Sequence, residues 1–134
     1  MANVKLGTKA VGSIVKIKVN GASKDFIVVQ QGNPNTSTYD SSCAGTWLLM
    51  KDIYTTSTFG NNNSYKDSSI HTYLNGTFYN LIDSNIRAAI KQVKIPYQNG
   101  TGSGGSLATG SNGLSTKVFL LSGYEVGWTT SDNG

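Results

Sequence analysis

Few residues in this sequence have the chemistry of a catalyst. The single histidine, His71, stands between Ile70 and Thr72, and the single cysteine, Cys43, lies in the run Ser41-Ser42-Cys43-Ala44-Gly45. A thiol nucleophile needs a base within hydrogen-bond reach, so Cys43 with His71 is the one nucleophile–base pair on offer. The plainer reading is stronger: a lone histidine in a short apolar helix is structural, and no local signature surrounds the cysteine. Glycosidase chemistry needs two carboxylates about 5–9.5 Å apart. Of the seven acids, Asp67 and Asp83 stand where helix caps belong, and Glu125 ends a Ser-x-x-Glu capping box. One cysteine excludes an intrachain disulfide and a cysteine-based zinc site. No Asp-x-Asp-x-Asp-Gly loop or His/Cys cluster is present. The expectation is a protein that is not an enzyme and requires neither metal nor cofactor.

Binding chemistry is better supplied. The chain has seven Tyr, four Phe and two Trp. Tyr39, Tyr54, Tyr65, Tyr97, Tyr124 and Trp128 fall in or beside polar stretches, and Asn62 is the middle of an Asn61-Asn62-Asn63 run. Aromatic rings among Asn, Ser and Thr suit sugar or protein recognition, through stacking combined with adaptable hydrogen bonds. The ligand-binding candidates are therefore Tyr39, Tyr54, Asn62, Tyr65, Tyr97 and Trp128. The competing reading is that each ring anchors its own loop to the core. Trp47, inside an apolar run, is expected in the core.

The elements that must position these residues are short. Val15, Ile17 and Val19 alternate with Lys16 and Lys18 as a strand, followed by Asn20-Gly21, the pair suited to a tight turn. The return strand is expected over Asp25–Val29. A third, Thr46–Met50, is nearly all apolar and reads as a central strand covered on both faces. Residues 54–66 read as an exposed loop. Asp67 or Ser68 caps a helix with Ile70, Tyr73 and Leu74 on one face, ended by Asn75-Gly76. Phe78, Leu81 and Ile82 are expected to pack beneath. A second helix, capped by Asp83 or Ser84, carries Ile86, Ala89, Ile90 and Val93 as its buried stripe, with Arg87, Lys91 and Lys94 in its last turns. Residues 98–113, with six glycines, read as a flexible loop lacking the lysine and the strand–helix context of a phosphate loop. Lys117–Leu121 is read as a fourth strand, and Ser122–Glu125 as one further helical turn. The class is α+β: a small antiparallel sheet, made of the N-terminal hairpin plus further strands, with two or three short helices.

Composition narrows the role further. The chain has 134 residues, one domain's worth, and only 13% are charged, with 16 Gly, 16 Ser, 14 Thr and 13 Asn taking the place of charge. No apolar run reaches the roughly 20 residues of a membrane helix, and no heptad pattern supports a coiled coil. Membrane insertion is not expected. The net charge of +4 comes from ten Lys and one Arg scattered along the chain. Nucleic-acid binding needs clustered cations and is not expected either. The first residues lack the uninterrupted apolar stretch of a signal peptide, so a role outside the cell would need a fusion, another export route or delivery in a particle.

Three strings carry a family likeness: Trp47-Leu48-Leu49-Met50-Lys51-Asp52; Tyr65-Lys66-Asp67-Ser68-Ser69-Ile70-His71-Thr72-Tyr73-Leu74-Asn75; and Phe119-Leu120-Leu121-Ser122 with Glu125-Val126-Gly127. Together they resemble an uncharacterised domain family of gut Gram-positive bacteria and their bacteriophages, found in surface and tail-associated proteins. The resemblance runs from about Gly12 to Trp128. It implies distant similarity to C-type-lectin-like folds, including sulfatase-activating oxidases and variable receptor-binding proteins of phages. Those oxidases need paired cysteines, which this chain lacks, and neither Pro34 nor Pro96 lies in a Glu-Pro-Asn calcium loop. Residues 1–134 are expected to be a single domain, ending either in a simple tail or, as the resemblance implies because members continue past the equivalent of Gly134, as the N-terminal portion of a larger C-type-lectin-like domain.

The function so implied is a non-enzymatic virion or tail/fibre-associated module contributing structure, host-surface attachment or both. It would be made in the host cytoplasm and carried in the virion. The alternative is a carbohydrate-binding module of a bacterial surface protein. Expected partners are other virion or surface proteins, further copies of the chain, and a cell-surface glycan.

Overall fold

The computed structural model describes residues 5–61, 64–99, 105–122 and 124–127. Strands β1 (Ile14–Val19) and β2 (Ala22–Gln31) form the expected hairpin. Asn20 (φ +50°) and Gly21 (φ +76°) both occupy the left-handed region, so two residues suffice for the turn. The return strand accordingly starts at Ala22, earlier than the expected Asp25. Lys16 lies opposite Asp25 and forms an ion pair with it at 2.7 Å. Strand β3 (Thr46–Met50) pairs antiparallel with β2, giving the order β1-β2-β3. It is thus an edge strand, contrary to the central position its apolar run suggests.

Its two faces explain that run. Leu48 and Met50 pack with Val15 and Phe26 against a core of Ile17, Val19, Phe78 and Ile82. Trp47 belongs to a second cluster, with Tyr39, Cys43 and Ile95. Burial of Val19 and Val28, both at 0% exposure, contributes roughly 1.5–3 kcal/mol each before conformational entropy is counted. A register shift between Val28 and Gln30 bulges β2 at Val29 and sets Gln30 opposite Trp47.

Helix α1 (Ser69–Tyr73) is capped by Ser68, whose Oγ accepts from His71 N at 3.2 Å. The chain does not leave the helix at Asn75-Gly76. It passes through a π-helical segment, Leu74–Phe78, into α2 (Tyr79–Leu81). Glycine costs a helix only about 1 kcal/mol, and continuing delivers Phe78 and Ile82 into the core. Asn20 N donates to Leu81 O and Asp83 N to Lys18 O, fastening this stretch to the end of β1.

Helix α3 (Ser84–Arg87) is capped by Asp83, whose carboxylate accepts from Asn85 N at 3.1 Å. It is shorter than its apolar stripe implies. Val93 starts β4 (Val93–Ile95), which pairs with β7 (Leu114–Thr116) and buries Ile95 and Thr116. Lys91 and Lys94 are therefore outside the helix, and their ammonium groups donate to Ala44 O and Ser111 O.

The stretch read as a loop from Gln98 contains a second small hairpin. Strand β5 (Tyr97–Asn99) pairs with β6 (Ser106–Ala108), and a 3-10 turn follows at Gly110–Asn112. Residues 117–121 form no strand. Their backbone is held by side chains: Asn75 Oδ1 accepts from Lys117 N and Val118 N, and Tyr65 Oη accepts from Leu120 N. The architecture is α+β, with small antiparallel sheets, one main helical stretch and short turns. Among the described residues no helix is long and apolar enough to cross a membrane.

Candidate functional site: a groove beside Trp47

Strand periodicity puts Trp47 and Leu49 on the same face of β3, away from the Ile17 core. The bulge at Val29 brings Gln30 across from the indole. Beside them runs a groove of about 480 Å³, within the ~300–1,000 Å³ range of ligand clefts. Its walls come from three sources: the β2–β3 ladder, the 34–39 segment with Asn35 and Tyr39, and the chain's later part with Leu121 and Glu125.

The walls are held by aromatic packing and a carboxylate clamp. Trp47 meets Tyr39 and Phe119 edge-to-face, at centroid distances of 5.6 and 5.4 Å. The indole N–H donates to Cys43 O at 3.0 Å, which fixes the ring's orientation. Tyr39 Oη donates to Glu125 Oε1 at 2.8 Å. Glu125 Oε2 accepts from Ser122 N (2.7 Å) and Ser122 Oγ (3.1 Å), while Glu125 N donates to Ser122 Oγ at 3.3 Å. The expected capping box is present, and the same glutamate also reaches the loop that carries Tyr39.

That loop is ordered by asparagines. Asn33 Nδ2 donates to Tyr39 O and Asp40 O, and Asn35 Oδ1 accepts from Ser37 N and Oγ. Two amide atoms on groove residues make no hydrogen bond among the described residues: Asn35 Nδ2 and Gln30 Oε1, the Gln30 amide nitrogen donating to Gln31 O. Glu125 is the one charged side chain among the described lining residues.

The six residues expected to bind ligand are distributed as follows. Tyr39 lines the groove, but its ring is buried at 6% exposure, so it serves as a wall. Tyr54 packs edge-to-face on Phe78 at 5.3 Å in the first core. It also borders a separate 60 Å³ crevice with Asp25 and Asp52. Tyr65 packs on His71 at 5.2 Å, and burial raises its phenol's pKa. Tyr97 is half-buried in β5. Asn62 and Trp128 lie outside the described residues. Sequence reasoning missed Gln30, Asn35 and Leu49, because nothing local announces the bulge that gathers them. Glu125 was legible only as a cap.

The catalytic candidates have structural partners. Cys43 Sγ donates to Lys94 O at 3.2 Å, and burial pushes the thiol's pKa up, opposite to what activates a nucleophile. Burial lowers the pKa of His71, partly offset by the nearby Asp67 carboxylate. No hydrogen bond joins the two side chains among the described residues.

A family model described as "Domain of unknown function (DUF6273)" covers residues 44–134. No curated protein and no solved structure matches the chain. The matched segment starts after the β1–β2 hairpin, so of the resemblance read from Gly12 to Trp128 the match supports an uncharacterised domain family from residue 44 onward. Trp47, Leu49, Leu121 and Glu125 of the groove lie inside the matched segment, and Gln30, Asn35 and Tyr39 lie before it. The chain belongs to this family of domains of unknown function, DUF6273.

Proposed function

We propose that the protein is a non-enzymatic attachment module, a bacteriophage virion or tail/fibre-associated component that contributes structure and binds the host surface. The observation that carries the attachment role is the groove beside Trp47. It has an aromatic and aliphatic lining, two amide atoms with no partner among the described residues, and walls fixed by the Tyr39–Glu125 bond. Such a surface recognises without reacting. The phage setting and a C-type-lectin-like ancestry are supported by the likeness of the Trp47, Tyr65–Asn75 and Phe119–Gly127 strings to surface and tail-associated domains. Partners are other virion proteins and further copies of the chain. A row of apolar side chains across the outer sheet face supports self-association: Ile14 opposite Ile27, and Ile27 opposite Leu49. Weak sites gain from repetition in such assemblies.

Mass spectrometry of purified phage particles tests the virion role. The polypeptide is expected in the particle, and its absence there overturns that role. A second reading, a carbohydrate-binding module of a bacterial surface protein, is favoured by the same aromatic-and-amide lining. Cell fractionation separates the two, since this reading puts the chain on the bacterial envelope in cells that carry no phage.

A further inference from the structure

We propose that the groove beside Trp47 binds an uncharged sugar residue of a cell-surface glycan and rejects acidic sugars. The inference rests on the attachment reading and names the ligand class of that same site. Sugars present an apolar C–H face and a rim of hydroxyls, each both donor and acceptor. The groove offers both kinds of surface. Leu49 (36% exposed) and Leu121 (44% exposed) supply accessible apolar surface in the groove that Trp47 also lines. For the rim, Asn35 Nδ2 as donor and Gln30 Oε1 as acceptor have no partner among the described residues, each amide's other end being held by its own chain. Those internal bonds fix which end of each amide is available.

Charge decides which sugars fit. A carboxylate has about four acceptor sites, and Tyr39 Oη, Ser122 N and Ser122 Oγ occupy three on Glu125. One remains for a ligand hydroxyl. No cation stands among the described lining residues to neutralise Glu125, so a sugar carboxylate, sulfate or phosphate would meet repulsion there. The +4 net charge of the chain acts at longer range and is screened within about 8 Å at physiological ionic strength.

The experiment is a glycan array with the full chain, followed by calorimetry on neutral ligands and their uronate or sialylated counterparts. Neutral glycans are expected to bind, and the acidic counterparts to bind at least about tenfold more weakly. Leu49→Lys, at an exposed edge-strand position, should abolish binding with the fold intact by circular dichroism. Glu125→Gln should narrow the gap between neutral and acidic ligands. Asn35→Asp keeps the acceptor that Ser37 uses while removing the free donor, and should also abolish binding. Equal binding of acidic glycans, neutral binding that survives Leu49→Lys, or binding of lysine-bearing peptides alone would each overturn the proposal. Adhesion of the chain to host cells with no glycan bound overturns the groove assignment and leaves the attachment reading standing. Glycan binding without adhesion or incorporation into particles does the reverse.

Discussion

Asn75 holds Val118 by both ends of its amide. Its Oδ1 accepts from Val118 N at 3.2 Å, and its Nδ2 donates to Val118 O at 2.8 Å. The same oxygen accepts from Lys117 N, and the same nitrogen donates to His71 O. One side chain thus closes the helical stretch onto a segment 43 residues away. The π-helical turn that begins at Leu74 widens the backbone where this side chain leaves it. Asn75 and the Lys117-Val118 pair are thus the two halves of a clasp.

Asn75→Ala should cost about 2–4 kcal/mol, because it strands backbone donors whose desolvation costs about 1–3 kcal/mol each. Thr116, 1% exposed, has its hydroxyl 3.0 Å from both Asn75 Oδ1 and Val118 O. Denaturant unfolding of Asn75→Ala, Thr116→Val and the double variant should therefore show non-additivity. Strict additivity would mean the clasp is not one unit.

Tyr39→Phe should loosen one wall of the groove while keeping its ring against Trp47. The lost hydroxyl donates to a carboxylate, a bond worth about 1.5–3 kcal/mol. Glu125 would retain Ser122 and lose its tie to the Tyr39 loop. Hydrogen exchange should accelerate at the Glu125 amide, which donates to Ser122 Oγ, and stay unchanged at Val28, whose amide donates to Ser13 O. A uniform acceleration at both sites would show that the bond stabilises the whole fold rather than this wall.

Stability should have an optimum bounded on both sides by groups inside the fold. Burial lowers the pKa of His71 below its ordinary 6.5, so the unfolded chain takes up its proton first as pH falls. Its contribution is complete above pH 6.5 and is lost as pH falls through the lower folded value. Burial raises the pKa of Cys43 above 9.0 and that of Tyr65 above 10.0. Their contributions are complete below those ordinary values and are lost as pH rises through the folded ones. Thermal melts from pH 5 to 11 should flatten on the acid side in His71→Gln and on the alkaline side in Cys43→Ala. An unchanged profile in His71→Gln would contradict the acid assignment. Asp25 and Asp40, with pKa values lowered by hydrogen bonds from Lys16 and Ser42, act only below about pH 4 and do not confuse the window.

What could be read from sequence was local. The Asn20-Gly21 turn, the Ser68 and Asp83 caps and the Ser122–Glu125 box each depend on residues within a few positions, and all are present. What failed was non-local. Val93 looks like the fourth member of a helical stripe until Thr116 is available to pair with it. The apolar run at 118–121 has a strand's composition, but Asn75 and Tyr65 bind its backbone instead. The groove was hidden for the same reason, since it exists only where the Val29 bulge meets the Glu125 turn. Polar neighbours in sequence do not keep an aromatic ring at the surface: of the described candidates, Tyr39 and Tyr54 turn inward to the two cores.

Gly113 tests the pairing that sequence did not anticipate. A Cβ built there would sit 2.7 Å from Ile95 O and 3.1 Å from Gly110 O, both backbone atoms unable to move aside cheaply. Gly113→Ala should push β7 from β4 and cost about 1–3 kcal/mol, the usual penalty of overpacking. Gly45→Ala is the control. Its Cβ would meet only the flexible Lys91 Cδ at 3.6 Å, so its melting temperature should stay close to that of the parent. If Gly113→Ala melts like Gly45→Ala, β4 and β7 are not packed as tightly as the Leu114–Ile95 register requires.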